Sequence, residues 1–319
     1  MTLTQLRAFV AVARLGSVKA AAASLGVTEP AVSGAVAALR RDLGDLLFIR
    51  AAGGISLTSG GRRLAAGAAE IVGLAEETRN RVREAGIGTA HLRVASTETS
   101  AEQILPALIA AFGRRQPDLD AATLAVPAGV FPELLRDRRA DVAVGPAVQQ
   151  HPGIESTPFL RFQLVVVASP DHPLARQPRI GPARLVREPW LLGPAGLDPG
   201  TLAGAFLARV GVDPDTATAF PSASASLNSV AAGAGLSIAF HHMVREDLRR
   251  GALATLDVPG TPINGMLYAS ALKGDRRSAT AAAFCRFVTT PAATQALMSR
   301  PQGVPMSAFR PAVHVTIWS

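Results

Sequence analysis

The residues best placed for chemistry are a short run, Thr28-Glu29-Pro30-Ala31-Val32-Ser33-Gly34, that opens a helix with small and polar side chains. A helix entering the major groove of a duplex reads base edges with its N-terminal residues, and only compact or hydrogen-bonding side chains fit there. Cations stand where phosphates would pass: Lys19 ahead of the run, Arg40 and Arg41 at its far end, and Arg50 beyond it. Ser17, the N-cap of the preceding helix, and Ala37, one turn past Ser33, border the same surface. Residues 1–63 hold eight basic side chains against three acidic ones, in a chain of formal net charge +8. A solvated helical face can be this charged, but the charge here coincides with a reading helix, which points to duplex DNA. Lys19 and Lys273 are the only lysines; the arginine fork suits phosphate and guanine, although a GC-rich genome yields the same bias.

A second group of candidates is rich in hydroxyls. Ser96-Thr97-Glu98-Thr99-Ser100 follows a strand and opens a helix, so its N–H groups and hydroxyls could bind a carboxylate. Glu98, if it faces inward, opposes an anionic ligand. Ala125-Val126-Pro127-Ala128-Gly129 follows a second strand, and Ser222-Ala223-Ser224-Ala225-Ser226 precedes another helix. Ordinary caps and turns share this composition. Gly145, Pro146, Phe240 and His241 lie at strand ends, where α/β folds bind small molecules. The candidate ligand set is therefore Ser96, Thr97, Thr99, Ser100, Pro127, Gly145, Pro146, Ser224, Phe240 and His241. His241 and His242 do not make a metal pair, because adjacent residues on an extended segment point opposite ways.

The elements that must position these residues are legible in the periodicity. Leu6, Phe9, Val10 and Ala13 fall at helical spacing, and Gly16 ends that helix. Ser17 caps a second helix over 18–25, Gly26-Val27 turns the chain, and Thr28 caps a third to about Asp42, with Pro30 in its first turn. Two helices joined by a short glycine-containing turn form a helix-turn-helix. Strand-like segments 47–50 and 55–58 flank Ala51-Ala52-Gly53-Gly54 as a small hairpin, a wing. A long helix follows over about 60–84, in which Leu64, Ala68, Ile71, Ala75, Thr78 and Val82 recur in steps of three and four. That seam suits pairing with a second copy of the chain, or packing on the protein's own body. Gly86-Ile87-Gly88-Thr89 marks the boundary. Beyond it, strands at 92–96, 122–126, 142–145, 163–168, 236–240 and 266–271 alternate with helices at 102–115, 131–138, 201–210 and 226–234. The expected fold is α/β multidomain with a largely parallel sheet. Residues 1–60 form the winged helix-turn-helix, 61–88 a linker and dimerisation helix, and 89–319 an effector-binding domain. Within that domain, lobe 1 covers about 89–163 and 268–319, and lobe 2 about 164–267.

Taken together, Leu6-Arg7-Ala8-Phe9, Gly16-Ser17, the run 20–25, Thr28 to Ser33, Leu39, Leu43-Gly44, Leu47-Phe48-Ile49-Arg50 and Leu57-Thr58-Ser59-Gly60-Gly61 resemble the N-terminal domain of LysR-type transcriptional regulators. The layout beyond fits the same family, with a linker helix and a two-lobed domain like the periplasmic binding proteins. The ending, Phe309-Arg310-Pro311 to Trp318-Ser319, resembles an actinobacterial subgroup associated with carbon-monoxide dehydrogenase genes. The resemblance implies base or groove contacts from Glu29, Pro30, Ser33 and Gly34, a wing contact from Arg50, and an effector flanked by the 96–100 and 222–226 segments. Its implied partners are promoter DNA, a small-molecule effector, a second copy in a homodimer or homotetramer, and RNA polymerase. Two positions depart from the family pattern: Gln is usual at position 29, and Arg is frequent at position 34. A carboxylate at 29 accepts from a cytosine amine but repels phosphate, and Gly34 removes a bidentate guanine reader. A looser operator preference, resting on backbone contacts and DNA shape, is expected.

Other classes fit poorly. No Gly-x-Ser-x-Gly elbow, P-loop or His/Glu metal motif is present, so an enzyme is not expected and no cofactor is implied. An exported solute-binding protein would need a signal peptide, which the N-terminus does not resemble. An architectural DNA-binding protein would not need so large a second domain. One cysteine, Cys285, excludes an intramolecular disulfide framework. No run of about 18 apolar residues predicts a membrane span, and a cytoplasmic location is expected.

Overall fold

The structure, a computed structural model, describes residues 1–51, 54–149 and 151–298. The tip of the wing and the C-terminal segment that carries the subgroup resemblance lie outside the described residues. The chain divides into two compact units, one of Met1–Thr89 with Arg136–Arg139 and a larger one of the residues from Ala90 onward outside that segment.

The N-terminal unit contains α1 (Leu3–Leu15), α2 (Val18–Leu25), α3 (Glu29–Leu43), β1 (Phe48–Ala51), β2 (Gly54–Leu57) and α4 (Ser59–Ile87). Each of the first three helices starts at a hydroxyl cap and stops at a glycine. Thr2, Ser17 and Thr28 accept from backbone N–H groups, and Gly16, Gly26 and Gly44 close the ends with φ of 64°, 65° and 66°. Leu6, Phe9 and Val12 of α1 meet Val32, Val36 and Leu39 of α3 in one core, with Phe9 and Phe48 ring centroids 5.0 Å apart. Leu64 and Ala68 pack into that core, so their place in the predicted self-association seam is corrected: the helix turns this stripe toward its own body. The outward stripe is instead Ile71, Leu74 and Val82, with exposures of 47%, 45% and 69%, joined by exposed Thr78. Ala75 is half-buried.

A polar corner joins the wing to α4. The Asp45 carboxylate accepts from the Thr58 hydroxyl at 2.7 Å and from the Leu47 N–H at 2.6 Å, and these bonds hold its pKa below the usual carboxylate value. Thr58 in turn accepts from the Gly61 N–H at 2.8 Å. A methyl on Gly61 would collide with the Leu47 carbonyl and one on Gly60 with the Asp45 carboxylate, so both glycines are required by this corner.

The larger unit contains β3 (Ala90–Ser96), α5 (Glu98–Gln103), α6 (Leu105–Gly113), β4 (Leu119–Ala125), α7 (Phe131–Arg136), β5 (Val142–Gly145), β6 (Ile154–Ala168), α8 (Pro182–Leu185), β7 (Leu191–Leu192), α9 (Pro194–Leu197), α10 (Leu202–Val210), β8 (Thr218–Ala219), α11 (Ala223–Ala231), β9 (Ser237–Phe240), α12 (His241–Arg249), β10 (Ala254–Thr255), β11 (Ile263–Leu272), α13 (Ala279–Phe287) and α14 (Pro291–Met298). Seven strands form one sheet in the order β10-β6-β11-β5-β3-β4, with β9 also on β6. The expectation of a largely parallel sheet is overturned. β3 pairs parallel with β4 and β5, but β6 runs antiparallel to β9, β10 and β11, and β11 antiparallel to β5. The polar start of β6 and its Pro158 mask a strand in sequence. Here the proline is tolerated at an irregularity where β11 shifts register between Leu267 and Tyr268.

Two further elements move. The predicted helix 102–115 is divided at Ile104 into α5 and α6, because Pro106 lacks the N–H that would bond back into the preceding turn. The helix predicted over 226–234 begins at Ala223, capped by the Ser222 hydroxyl at 3.2 Å from the Ala225 N–H.

His242, on the first turn of α12, is buried, and desolvation depresses its pKa to about 4, helped by the charges of His241 and Arg245. Folding thus favours the neutral ring. The resulting stabilisation is present above the ordinary value of 6.5 and is lost as pH falls from there toward about 4. Thermal midpoints measured across that window should fall, and His242→Gln should flatten the fall; equal slopes in both proteins would contradict the assignment. Separately, Gly61→Ala should destabilise the N-terminal unit by about 1–3 kcal/mol in denaturant unfolding.

Candidate DNA interface and ligand cleft

Burial of Val32, Val36 and Leu39 against α1 fixes which side of α3 faces out. Glu29, Pro30, Ser33 and Gly34 are exposed on the outward side, Ala37 and Arg40 are half-buried beside them, and Lys19 on α2 and Arg50 on β1 are exposed. Thr28 and Ser17 serve first as caps, accepting from Ala31 N–H at 3.4 Å and Ala20 N–H at 3.3 Å. All ten predicted DNA-facing residues thus fall in one unit, and the exposed ones cluster at the start of α3, on α2 and on the wing. Glu29 occupies the first turn of α3, where a negative charge complements the helix dipole. Its departure from Gln therefore favours the helix while opposing phosphate. Nothing lies within 4 Å of a Cβ built on Gly34. The space an arginine would need there is open.

In the larger unit a cavity of about 740 Å³ opens between the two lobes, within the range of small-molecule sites. Thr97, Thr99, Pro127 and Pro146 of the predicted set line it, as does the whole segment from Ala125 to Gly129. Phe240, with Thr99, lines a smaller adjoining space of about 40 Å³. The other predicted residues are displaced for physical reasons. Ser96 is fully buried, with its hydroxyl unpartnered among the described residues. Ser100 is buried and accepts from the Thr97 hydroxyl at 3.0 Å. Gly145 packs under Phe131, whose ring a methyl would approach to 2.8 Å. Ser224 lies on the first turn of α11, donating to Glu102 at 2.5 Å and accepting from Gln103 at 3.4 Å. His241 opens α12 and is exposed; the buried member of the pair is His242, because the segment is helical and not extended.

Sequence reasoning missed the opposite wall: Pro194, Ala195, Asp198, Gly200 and Thr201. Asp198 accepts from Gly200 N–H at 2.8 Å, and the Thr201 hydroxyl donates to the Asp198 carbonyl at 2.8 Å. The Asp-Pro-Gly-Thr entry to α10 was the available signal, an Asx turn leading into a hydroxyl cap. Glu98 lines both the cavity and the smaller space. Burial pushes its pKa up, the neighbouring Glu102 charge adds to this, and the Ala223 N–H opposes it. Its Oε2 is buried without a hydrogen-bond partner among the described residues.

Comparison with known proteins agrees with both halves. Residues 3–62 match the family described as bacterial regulatory helix-turn-helix protein, lysR family, and residues 86–292 match the LysR substrate binding domain. The HTH-type transcriptional regulator Rv0377 of Mycobacterium tuberculosis is 39% identical over the full length of both chains. A RuBisCO operon transcriptional regulator of Acidithiobacillus ferrooxidans is 31% identical, over 90% of this chain and 93% of its own. Among solved structures, the LysR family regulator CbnR aligns with a TM-score of 0.60 at 25% identity, covering 90% of this chain and 98% of that one. CbnR complexed with its target DNA aligns at 0.58 and 26% identity, covering 90% and 99%. The chain belongs to the LysR-type transcriptional regulators, DNA-binding proteins with a winged helix-turn-helix and a two-lobed effector-binding domain, and is not an enzyme.

Proposed function

We propose that this regulator reads promoter DNA with the exposed N-terminal turns of α3, anchors on phosphates through Lys19, Arg40 and the wing residue Arg50, and responds to a small molecule held between the lobes at Thr97, Thr99, Pro127 and Pro146. The observation that carries the reading is the outward face of α3, small and polar at its start and flanked by cations. The exposed Ile71, Leu74, Thr78 and Val82 stripe of α4 supports self-association into a homodimer or homotetramer. Among the described residues no single helix is long and apolar enough to cross a membrane, in keeping with work in the cytoplasm beside RNA polymerase. The finer assignment to the carbon-monoxide-dehydrogenase-associated subgroup rests on residues 309–319, and the genes bordering this one test it.

Footprinting on the gene's own upstream region tests the central reading. A protected region whose length or affinity changes with an added metabolite supports it; a footprint that no metabolite alters removes the sensing half. Because Gly34 is open to space and sits in a helix interior, Gly34→Arg should fold normally and gain up to about 1 kcal/mol of helix stability. It should also tighten operator binding roughly tenfold where a guanine faces position 34. Unchanged affinity across all bases at that position would show that residue 34 does not approach the groove.

A further inference from the structure

The cleft's charge limits what it can hold. Its lining contains two carboxylates, Glu98 and Asp198, and among the described residues no lysine, arginine or histidine. A carboxylate ligand would enter beside like charge with no fixed cation to balance it. Beside the cleft, at the smaller adjoining space, the first turn of the nine-residue α11 meets the protein's own acids. The Ser224 hydroxyl there donates to Glu102 at 2.5 Å, and the Ala223 N–H favours the ionised form of Glu98. The donors of that turn are thus already engaged by carboxylates of the chain.

Glu98 is left incomplete. Its Oε2 is buried, has no hydrogen-bond partner among the described residues, and belongs to a side chain on the cavity wall. A buried carboxylate oxygen without a donor is unfavourable, and turning this half-buried side chain into the cavity would let a ligand N–H complete it. We infer that the effector of this regulator is a small organic cation, an ammonium or amidinium compound, whose charged group donates to Glu98 while Asp198 borders the opposite wall. Burial, and after it the Glu102 charge, raise the pKa of Glu98, and no cation in the cleft lining opposes them. This assignment rests on the reading of the cleft as the sensing site, and it adds the ligand's chemical class.

The test uses the full-length protein and two probe sets: putrescine, agmatine and benzamidine as cations, and succinate, adipate and benzoate as carboxylates. Thermal shift and calorimetry should detect saturable binding of at least one cation and none of the carboxylates. Glu98→Gln should weaken the cation roughly tenfold or more, the scale of a lost charge-assisted hydrogen bond. Asp198→Asn keeps the acceptor for Gly200 N–H and serves as a second reporter should the Glu98 variant fold poorly; it too should weaken the cation. Carboxylate binding by the wild-type protein, with movement of the DNA footprint, would overturn the cation assignment and leave the sensing role intact. Cation binding indifferent to both substitutions would also overturn it. Failure of both sets to bind or to move the footprint would count against the cation and the sensing reading together.

Discussion

The antiparallel pairing of β6 with β11 is the constraint on which the larger unit depends. The two strands pair from Ile263 opposite Leu164 to Leu272 opposite Ile154, with one register shift between Leu267 and Tyr268. Along β6, Ile154, then Phe159 and Leu160, then Val166, then Val167 enter four different hydrophobic clusters. Both lobes are therefore built on one continuous ladder. Burying each such Leu, Val or Phe contributes about 1.5–3 kcal/mol, so the ladder is stabilised from both lobes at once.

The N-terminal unit obeys an analogous rule on a smaller scale. One face of α3 is buried against α1, and that alone dictates what the opposite face shows. The scaffold around it is complete, from the three hydroxyl caps to the Asp45–Thr58–Gly61 corner. What differs from the usual family pattern is the chemistry displayed: an acid at 29 and no side chain at 34. Neither residue is required by packing, since Glu29 is exposed and Gly34 faces open space.

The first sixty residues were legible because every element there is bounded by local chemistry, a cap at one end and a glycine at the other. The wing and the long helix were legible for the same reason. Beyond residue 90 the strands at 92–96 and 142–145 could be located, but their direction could not, because pairing is decided by residues a hundred positions apart, such as Gln163 opposite Asn264. The first half of β6 was hidden by Glu155, Ser156, Thr157 and Pro158, which read as a turn until the bulge is seen. In the cleft, hydroxyl-rich segments pointed to the right strand ends but not to the right atoms. Ser96, Ser100 and Ser224 spend their hydroxyls on burial or on the protein's own side chains, whereas Glu98 and Asp198 line the space. The seam on α4 was half legible: its periodicity is real, but Leu64 and Ala68 serve the protein's own core.

Promoter recognition, as proposed, depends on the outward face of α3 meeting DNA. Ser33 is exposed at its centre and makes none of the core contacts, so Ser33→Asp places a negative charge on the proposed interface without touching the fold. Fluorescence anisotropy with a duplex from the gene's own upstream region measures the result directly. Ser33→Asp should abolish specific binding while the thermal midpoint stays unchanged; binding retained at wild-type affinity would show that this face does not meet DNA.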